Sequence, residues 1–254
     1  MKQYLCKVLH RDIFHGKFCL LVFENRFSNP VIPGQFVHIR VRGVFLRRPF
    51  SVACLDKNEV GILFRIKGTG TKLLSDTKTG ELLDVIGPLG NGFPVDIKNR
   101  IVIVAGGIGI APMLLAVAYL MRKNHDFSLL YGARNADELV DFLLPEGNYS
   151  KIITTDDGTA GIKGQITEQL GNNIYRQKNV TVFAAGPYPM LKTVAAMCRE
   201  AGVPAYVSVE TRMFCGLGIC QGCVIHTKKG NLKICSDGPV FNSDHIIWDE
   251  QAPV

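Results

Sequence analysis

Short apolar runs of β character recur from the N-terminus to Lys98, at Phe18–Phe23, Phe36–Val41, Phe50–Leu55, Val60–Ile66 and Leu82–Ile86. Turn-forming residues separate them, as in Asn29-Pro30 and Pro33-Gly34, and only Gly68–Lys78 has the character of a helix. Several short strands at this spacing predict a barrel or sandwich. From Arg100 the pattern changes. Ile101–Ala105 is apolar throughout, as a parallel strand covered on both faces would be. Ala111–Lys123, Ser128–Gly132, Ala136–Leu144, Lys151–Thr154, Gly164–Leu170, Thr181–Ala185, Pro187–Ala201 and Ala205–Val209 then alternate helical and strand character. Such alternation predicts a doubly wound parallel sheet. After Glu210 the chain turns into a Gly/Cys-rich loop and a short tail. The expectation is a multi-domain α+β chain: an antiparallel β-barrel over 1–98, an α/β unit over 99–210 and a cysteine-bearing unit over 211–254.

Ile101 to Met121 carries no charge and is long enough to raise the question of a membrane span. Gly106, Gly107, Gly109 and Pro112 interrupt it, so a buried strand, a tight turn and a helix fit better. Met1–His10 is mixed polar and contains no apolar signal-peptide core, which predicts a cytoplasmic chain.

The formal net charge is +7 and is not spread evenly. Up to Lys98 there are 15 Lys and Arg against 8 Asp and Glu, whereas 99–210 holds 10 of each and 211–254 holds 4 of each. A solvated basic surface, an anionic cofactor or an acidic partner would each account for this. No basic run or nucleic-acid motif accompanies it, which argues against nucleic acid.

Four of the 8 cysteines crowd together in Cys215-Gly-Leu-Gly-Ile-Cys220-Gln-Gly-Cys223, with Cys235 eleven intervening residues later. In a chain without a secretion signal such clustering favours metal or redox work over disulfides. The spacing is the plant-type 2Fe–2S arrangement. Thiolates converging on two irons need a tightly wrapped loop, and Gly216, Gly218 and Gly222 permit it. A structural zinc site is the alternative, although Cys235 lacks the near cysteine that zinc knuckles pair.

Further stretches point to a bound nucleotide. Val104-Ala-Gly-Gly-Ile-Gly-Ile-Ala-Pro-Met113 reads as a strand, a glycine turn and a helix start, a place where free backbone N–H groups meet phosphates; it equally suits simple packing. Phe183-Ala-Ala-Gly186-Pro187 repeats the strand–turn pattern and would line the same crevice at the carboxyl ends of the strands. Arg47-Arg48-Pro49-Phe50-Ser51 and Lys67-Gly-Thr-Gly70-Thr71 supply a guanidinium, hydroxyls and amides for a phosphate, or else an ordinary edge strand beside a turn.

In this order the four elements resemble the ferredoxin-NADP reductase-like flavoenzymes, and within them the electron-transfer subunits of B-type dihydroorotate dehydrogenases. The resemblance covers nearly the whole chain. It implies FAD bound by Arg48, Pro49, Phe50 and Ser51, with Arg48 on the pyrophosphate and Ser51 near the isoalloxazine, and by Arg65, Ile66, Lys67, Gly70 and Thr71. It implies NAD(H) at Gly106, Gly107, Gly109, Gly186 and Pro187, and a 2Fe–2S cluster on Cys215, Cys220, Cys223 and Cys235. Cys235-Ser-Asp-Gly-Pro-Val-Phe241 is the most family-specific run. Many members carry a cysteine where this chain has Ala185, so no thiol contribution to hydride transfer is expected. No acid or base is assigned a catalytic role. Asp156 and Asp157 would disfavour a 2′-phosphate, which favours NADH, while Arg134 would act the other way. The implied partner is an FMN-bearing dihydroorotate dehydrogenase catalytic subunit in a two-plus-two heterotetramer of pyrimidine biosynthesis, with the loop around Phe214–Gly222 at the interface. Two alternatives stand beside this reading. One is the small subunit of another NAD(P)H-linked iron–sulfur flavoprotein, of the ferredoxin:NADP or sulfide dehydrogenase type, and the other is a redox-sensing regulator.

Overall fold

The computed structural model describes residues 2–175 and 179–248; the outermost ends of the expected first and last units, residue 1 and residues 249–254, lie outside the described residues. Six strands, β1 (Gln3–Phe14), β2 (Phe18–Glu24), β3 (Phe36–Arg40), β4 (Arg48–Leu55), β5 (Glu59–Arg65) and β6 (Leu82–Leu89), close into an antiparallel barrel of order β1-β2-β5-β4-β3-β6. Closure leaves no open sheet edge. Inward residues such as Val37, Ile39, Val52, Ile62 and Val85 are fully buried, because alternate residues of a strand face one side. Helix α1 (Thr69–Ser75) lies between β5 and β6.

β1 is not foreseen by the pattern of its residues. Only Cys6 and Val8 of its twelve are buried, so it lacks a clean alternation and owes its form to pairing with β2 and β6.

The second layer is a seven-stranded sheet of order β10-β9-β8-β7-β11-β12-β15. Its members are β7 (Arg100–Gly106), β8 (Phe127–Ala133), β9 (Ser150–Thr155), β10 (Ile162–Lys163), β11 (Val180–Ala185), β12 (Ala205–Ser208) and β15 (Val240–Asn242). All neighbours are parallel except β15, which runs antiparallel to β12. Every residue of β8 and β11 is buried, in keeping with helices on both faces. Helix α2 (Ile110–Arg122) covers one face and α4 (Tyr188–Glu200) the other, with the single turn α3 (Gly171–Ile174) before it. Two stretches that alternate with strands in sequence are less regular than helices: Ala136–Leu144 holds two 3₁₀ turns and Gly164–Leu170 one.

The hairpin β13 (Val224–Thr227) and β14 (Gly230–Lys233), followed by the turn α5 (Ile234–Asp237), carries the cysteine-rich segment. This segment shares its core with the rest of the molecule. Cys223, Ile225, Ile234, Cys235 and Phe241 pack in one apolar cluster with Val102 and Val182 of the sheet and with Phe36 and Leu89 of the barrel. Leu115 of α2 enters the barrel core. Among the described residues no helix is long and apolar enough to cross a membrane.

Candidate functional site

A cavity of about 740 Å³ opens between the barrel and the sheet. That volume lies within the span of small-molecule pockets, roughly 300–1,000 Å³. Its barrel wall is built from Phe36, Pro49, Phe50, Ser51 and Phe64, and the opposite wall includes Ile108 and Ala111. Phe50 packs on Phe64 with ring centroids 5.0 Å apart, which fixes the wall. Arg65, Lys67 and Thr71 also line the cavity.

Arg48 does not line the cavity but stands at its border. One guanidinium nitrogen donates to the Leu46 carbonyl at 2.8 Å, and a Cβ on Gly70 would come within 3.1 Å of its Nε. Gly70 therefore leaves room for this side chain. Thr71 Oγ1 accepts the Lys67 and Gly68 N–H groups at 2.9 and 3.0 Å, which shapes the turn between β5 and α1. Ile66 packs against the barrel core and lines neither cavity.

A second cavity of about 430 Å³ lies at the carboxyl ends of β7, β8 and β11. Gly106, Gly107, Gly109, Gly186 and Pro187 all line it. A Cβ at Gly109 would meet the Ala185 carbonyl at 2.3 Å, so only glycine lets the two turns approach so closely. Ala185 is buried at the end of β11, where no thiol is present. Asp156 and Arg134 both face this cavity. Asp157 turns instead to Thr159, accepting its hydroxyl at 2.7 Å and its N–H at 3.0 Å, and these bonds hold the carboxyl below the usual range.

The two cavities meet at Arg65, Ile108, Arg134 and Glu210. Two acids also stand at this junction. Glu138 accepts both terminal nitrogens of Arg65, at 2.5 and 3.2 Å, so a side chain expected on FAD is tied across to the sheet unit. The Arg65 guanidinium holds the Glu138 carboxyl below its usual range. Glu210 is reached by solvent through the open crevice, while the protein around it pushes its carboxyl pKa up. Their positions follow from tertiary packing, and only the place of Glu210 just before the cysteine loop marks it in the sequence.

The cysteine loop wraps so that backbone N–H groups face sulfur. Cys215 Sγ accepts from Leu217 and Cys220 at 3.4 and 3.5 Å, Cys235 Sγ from Gly218 at 3.0 Å, Cys223 Sγ from Cys235 at 3.4 Å and Cys220 Sγ from Gly222 at 3.4 Å. Burial opposes ionisation of Cys215, but the N–H groups of Cys220 and Leu217 outweigh it and bring the thiol down to about 6. Burial, and then the neighbouring Cys223, push the Cys235 thiol up. The lowered Cys215 thiol, and N–H groups donated to all four sulfurs, suit a cluster, whose sulfur ligands are bound deprotonated. The hairpin explains the spacing of Cys223 and Cys235. Val224 pairs with Lys233 and the Ile234 N–H donates to the Cys223 carbonyl at 2.8 Å, which returns the chain to its start.

The run after Cys235 fastens this loop to both other units. Asn91 of the segment after β6 donates its N–H to the Gly238 carbonyl at 2.6 Å, the Val209 N–H donates to Pro239 at 2.9 Å, and Val240 then enters the sheet. His38 of β3 lies against the loop from the barrel side, fully buried, and a Cβ on Gly216 would come within 2.4 Å of its Nδ1. Burial pushes the His38 pKa down.

Residues 210–247 match the family described as the iron–sulfur cluster binding domain of dihydroorotate dehydrogenase B. The dihydroorotate dehydrogenase B (NAD(+)) electron transfer subunit of Clostridium perfringens is 40% identical, over 91% of this chain and 92% of that protein. The subunit of the same name from Streptococcus mutans is 37% identical, over 98% and 99%. Among solved structures, a chain from work on the NADH-dependent reduced ferredoxin-NADP oxidoreductase superposes with a TM-score of 0.85 at 30% identity, covering 97% of this chain and 91% of that one. Phthalate dioxygenase reductase shares the fold at a TM-score of 0.67 and 21% identity, over 83% and 70% of the two chains. With relatives this similar along almost its whole length, the chain belongs to the family of dihydroorotate dehydrogenase B (NAD(+)) electron transfer subunits.

Proposed function

We propose that this chain carries electrons between NAD(H) and an FMN-bearing dihydroorotate dehydrogenase catalytic subunit, holding FAD in the larger cavity, the nicotinamide nucleotide in the smaller and a 2Fe–2S cluster on Cys215, Cys220, Cys223 and Cys235. The observation that carries this reading is the junction at Arg65, Ile108, Arg134 and Glu210, where two ligand-sized cavities open into one another. A bound flavin takes electrons as a hydride pair and gives them up singly, which is the property needed between a nicotinamide and a cluster.

The residues divide the work. Pro49, Phe50 and Ser51 form a wall for the isoalloxazine, and Arg48 with the 67–71 turn supplies positive charge and amides for a pyrophosphate. The glycines at 106, 107, 109 and 186, with Pro187, let a nucleotide lie directly on backbone. Asp156 faces the same cavity and would repel a 2′-phosphate, which supports NADH over NADPH. Glu210 sits where the two rings would meet. The exposed Phe214 and Ile219 give the cluster loop an apolar rim suited to a protein partner. The eight cysteines, none of them in a disulfide, are in keeping with work in the reducing cytoplasm. The assembly in this reading is two of these chains with two catalytic subunits.

Reconstitution tests the reading. Adding this chain to the FMN-bearing catalytic subunit should create dihydroorotate-dependent NAD⁺ reduction that neither has alone. A complex that forms, retains its flavins and iron, and still gives no NADH would contradict it.

A further inference from the structure

His38 is a buried polar side chain whose needs the protein does not meet. It has no exposed surface, and among the described residues neither Nδ1 nor Nε2 closes a hydrogen bond, although the Cys215 and Arg47 backbone lies near the ring. Leaving both ring nitrogens unpaired away from water is costly, so such a group calls for an explanation. Its position suggests one. β3 directs Val37 and Ile39 into the barrel core, and Phe36 to the core shared with Cys223 and Cys235. By strand alternation His38 lies on the same face as Phe36, which also lines the flavin cavity. The ring rests on Gly216, the residue after Cys215, so tightly that any side chain there would collide with it. It therefore stands between the flavin-lining strand and the cluster loop. At least one nitrogen of an imidazole carries a proton in either ring form. Beside the Cys215 and Arg47 backbone, sulfur atoms of a cluster and its thiolates are the further acceptors that this place would offer.

We propose that His38 is a positioning residue of the cluster: it donates a ring N–H to the sulfur cage bound by Cys215, Cys220, Cys223 and Cys235, pins the cluster loop to the flavin-bearing barrel and raises the electron affinity of the cluster. A hydrogen bond given to sulfur stabilises the more negative, reduced state, which is how such bonds raise cluster potentials. Because the donor comes from β3, the cluster is tuned by the unit that holds the flavin. The inference rests on the 2Fe–2S reading above; absence of iron and sulfide would defeat that reading, whereas an intact cluster indifferent to His38 would defeat this one alone.

The test is an EPR-monitored redox titration of the assembled complex, for wild type, His38→Leu and His38→Gln, with iron and flavin content measured on each. Leu keeps the bulk and removes the donor, while Gln restores an N–H. The expected result is a roughly tenfold fall in cluster electron affinity in His38→Leu, about 59 mV for a one-electron couple, with much of it recovered in His38→Gln. An unchanged potential in His38→Leu at full iron content, or equal shifts in both variants, would overturn the proposal. Pulsed EPR of the reduced wild-type cluster, with histidine carrying the heavy nitrogen isotope, decides the case if the variants lose iron. A weak coupling to a histidine nitrogen is expected, and its absence would overturn the proposal without any mutation.

Discussion

Glu138 shows how one side chain links the two cavities, because its carboxylate takes both terminal nitrogens of Arg65 while only 11% of its side chain is exposed. Arg65 is more open, at 36%, so the pair is partly screened. Glu138→Gln should cost about 1–2 kcal/mol, as for hydrogen bonds to a charged group, read from urea unfolding. The pH dependence has a definite sign. Arg65 lowers the folded pKa of Glu138, so the stabilisation is complete above the ordinary carboxylate pKa of about 4.3 and is lost as pH falls through the lowered value. The gap between wild type and Glu138→Gln should therefore be constant near neutrality and close in acid. A gap that widens in acid would contradict the assignment. At the cluster, Cys223→Ser should remove most of the bound iron, because Cys223 is buried and offers no water-filled route to a substitute ligand. Iron analysis checks this. These residues differ in how far the sequence reveals them. The cysteines stand out because ligands of one cluster must recur at fixed spacing. Glu138 and His38 leave no such trace, since their roles come from neighbours distant in the chain.

α2 is the element that joins barrel and sheet. It begins directly after the 3₁₀ turn Gly107–Gly109 and carries Leu115, 2% exposed, into the barrel core. Leu115→Ala should cost about 2–5 kcal/mol by opening a cavity there, and the melting temperature should fall accordingly. A melting temperature that stays put would mean that barrel and sheet are not packed through this contact. The strands covered on both faces, such as β7 and β11, are legible because continuous apolar runs have few other uses in a soluble sheet. β1 is not legible, for its exposed residues follow no period and the strand exists through its two partners. Nor is β15, which is three residues long and is recruited antiparallel to β12 once Pro239 is anchored to Val209. The 3₁₀ turns in 136–144 show the converse: apolar content was present, but two turns rather than a helix suffice to bring Glu138 to Arg65.

At the scale of the whole molecule, three units share two apolar cores and one continuous crevice, and the cysteine loop is strapped to the barrel through Asn91 and to the sheet through β15. The basic excess in 1–98 falls on the unit proposed to hold an anionic dinucleotide. Beyond the crevice, Phe214 and Ile219, 49% and 77% exposed, rim the cluster loop. A charge placed there should weaken the complex with the catalytic subunit, so Ile219→Asp should raise its Kd by roughly tenfold or more, as for an apolar anchor at the centre of an interface. Analytical ultracentrifugation reads the result, and undiminished assembly would place the partner elsewhere. The central claim is a path from nicotinamide through flavin to cluster within this one chain. Its most direct test is the visible spectrum of the purified chain, taken anaerobically before and after NADH. The account predicts flavin bands over a broad iron–sulfur absorption, both bleaching when NADH is added. A colourless protein that holds zinc on its four clustered cysteines would contradict it.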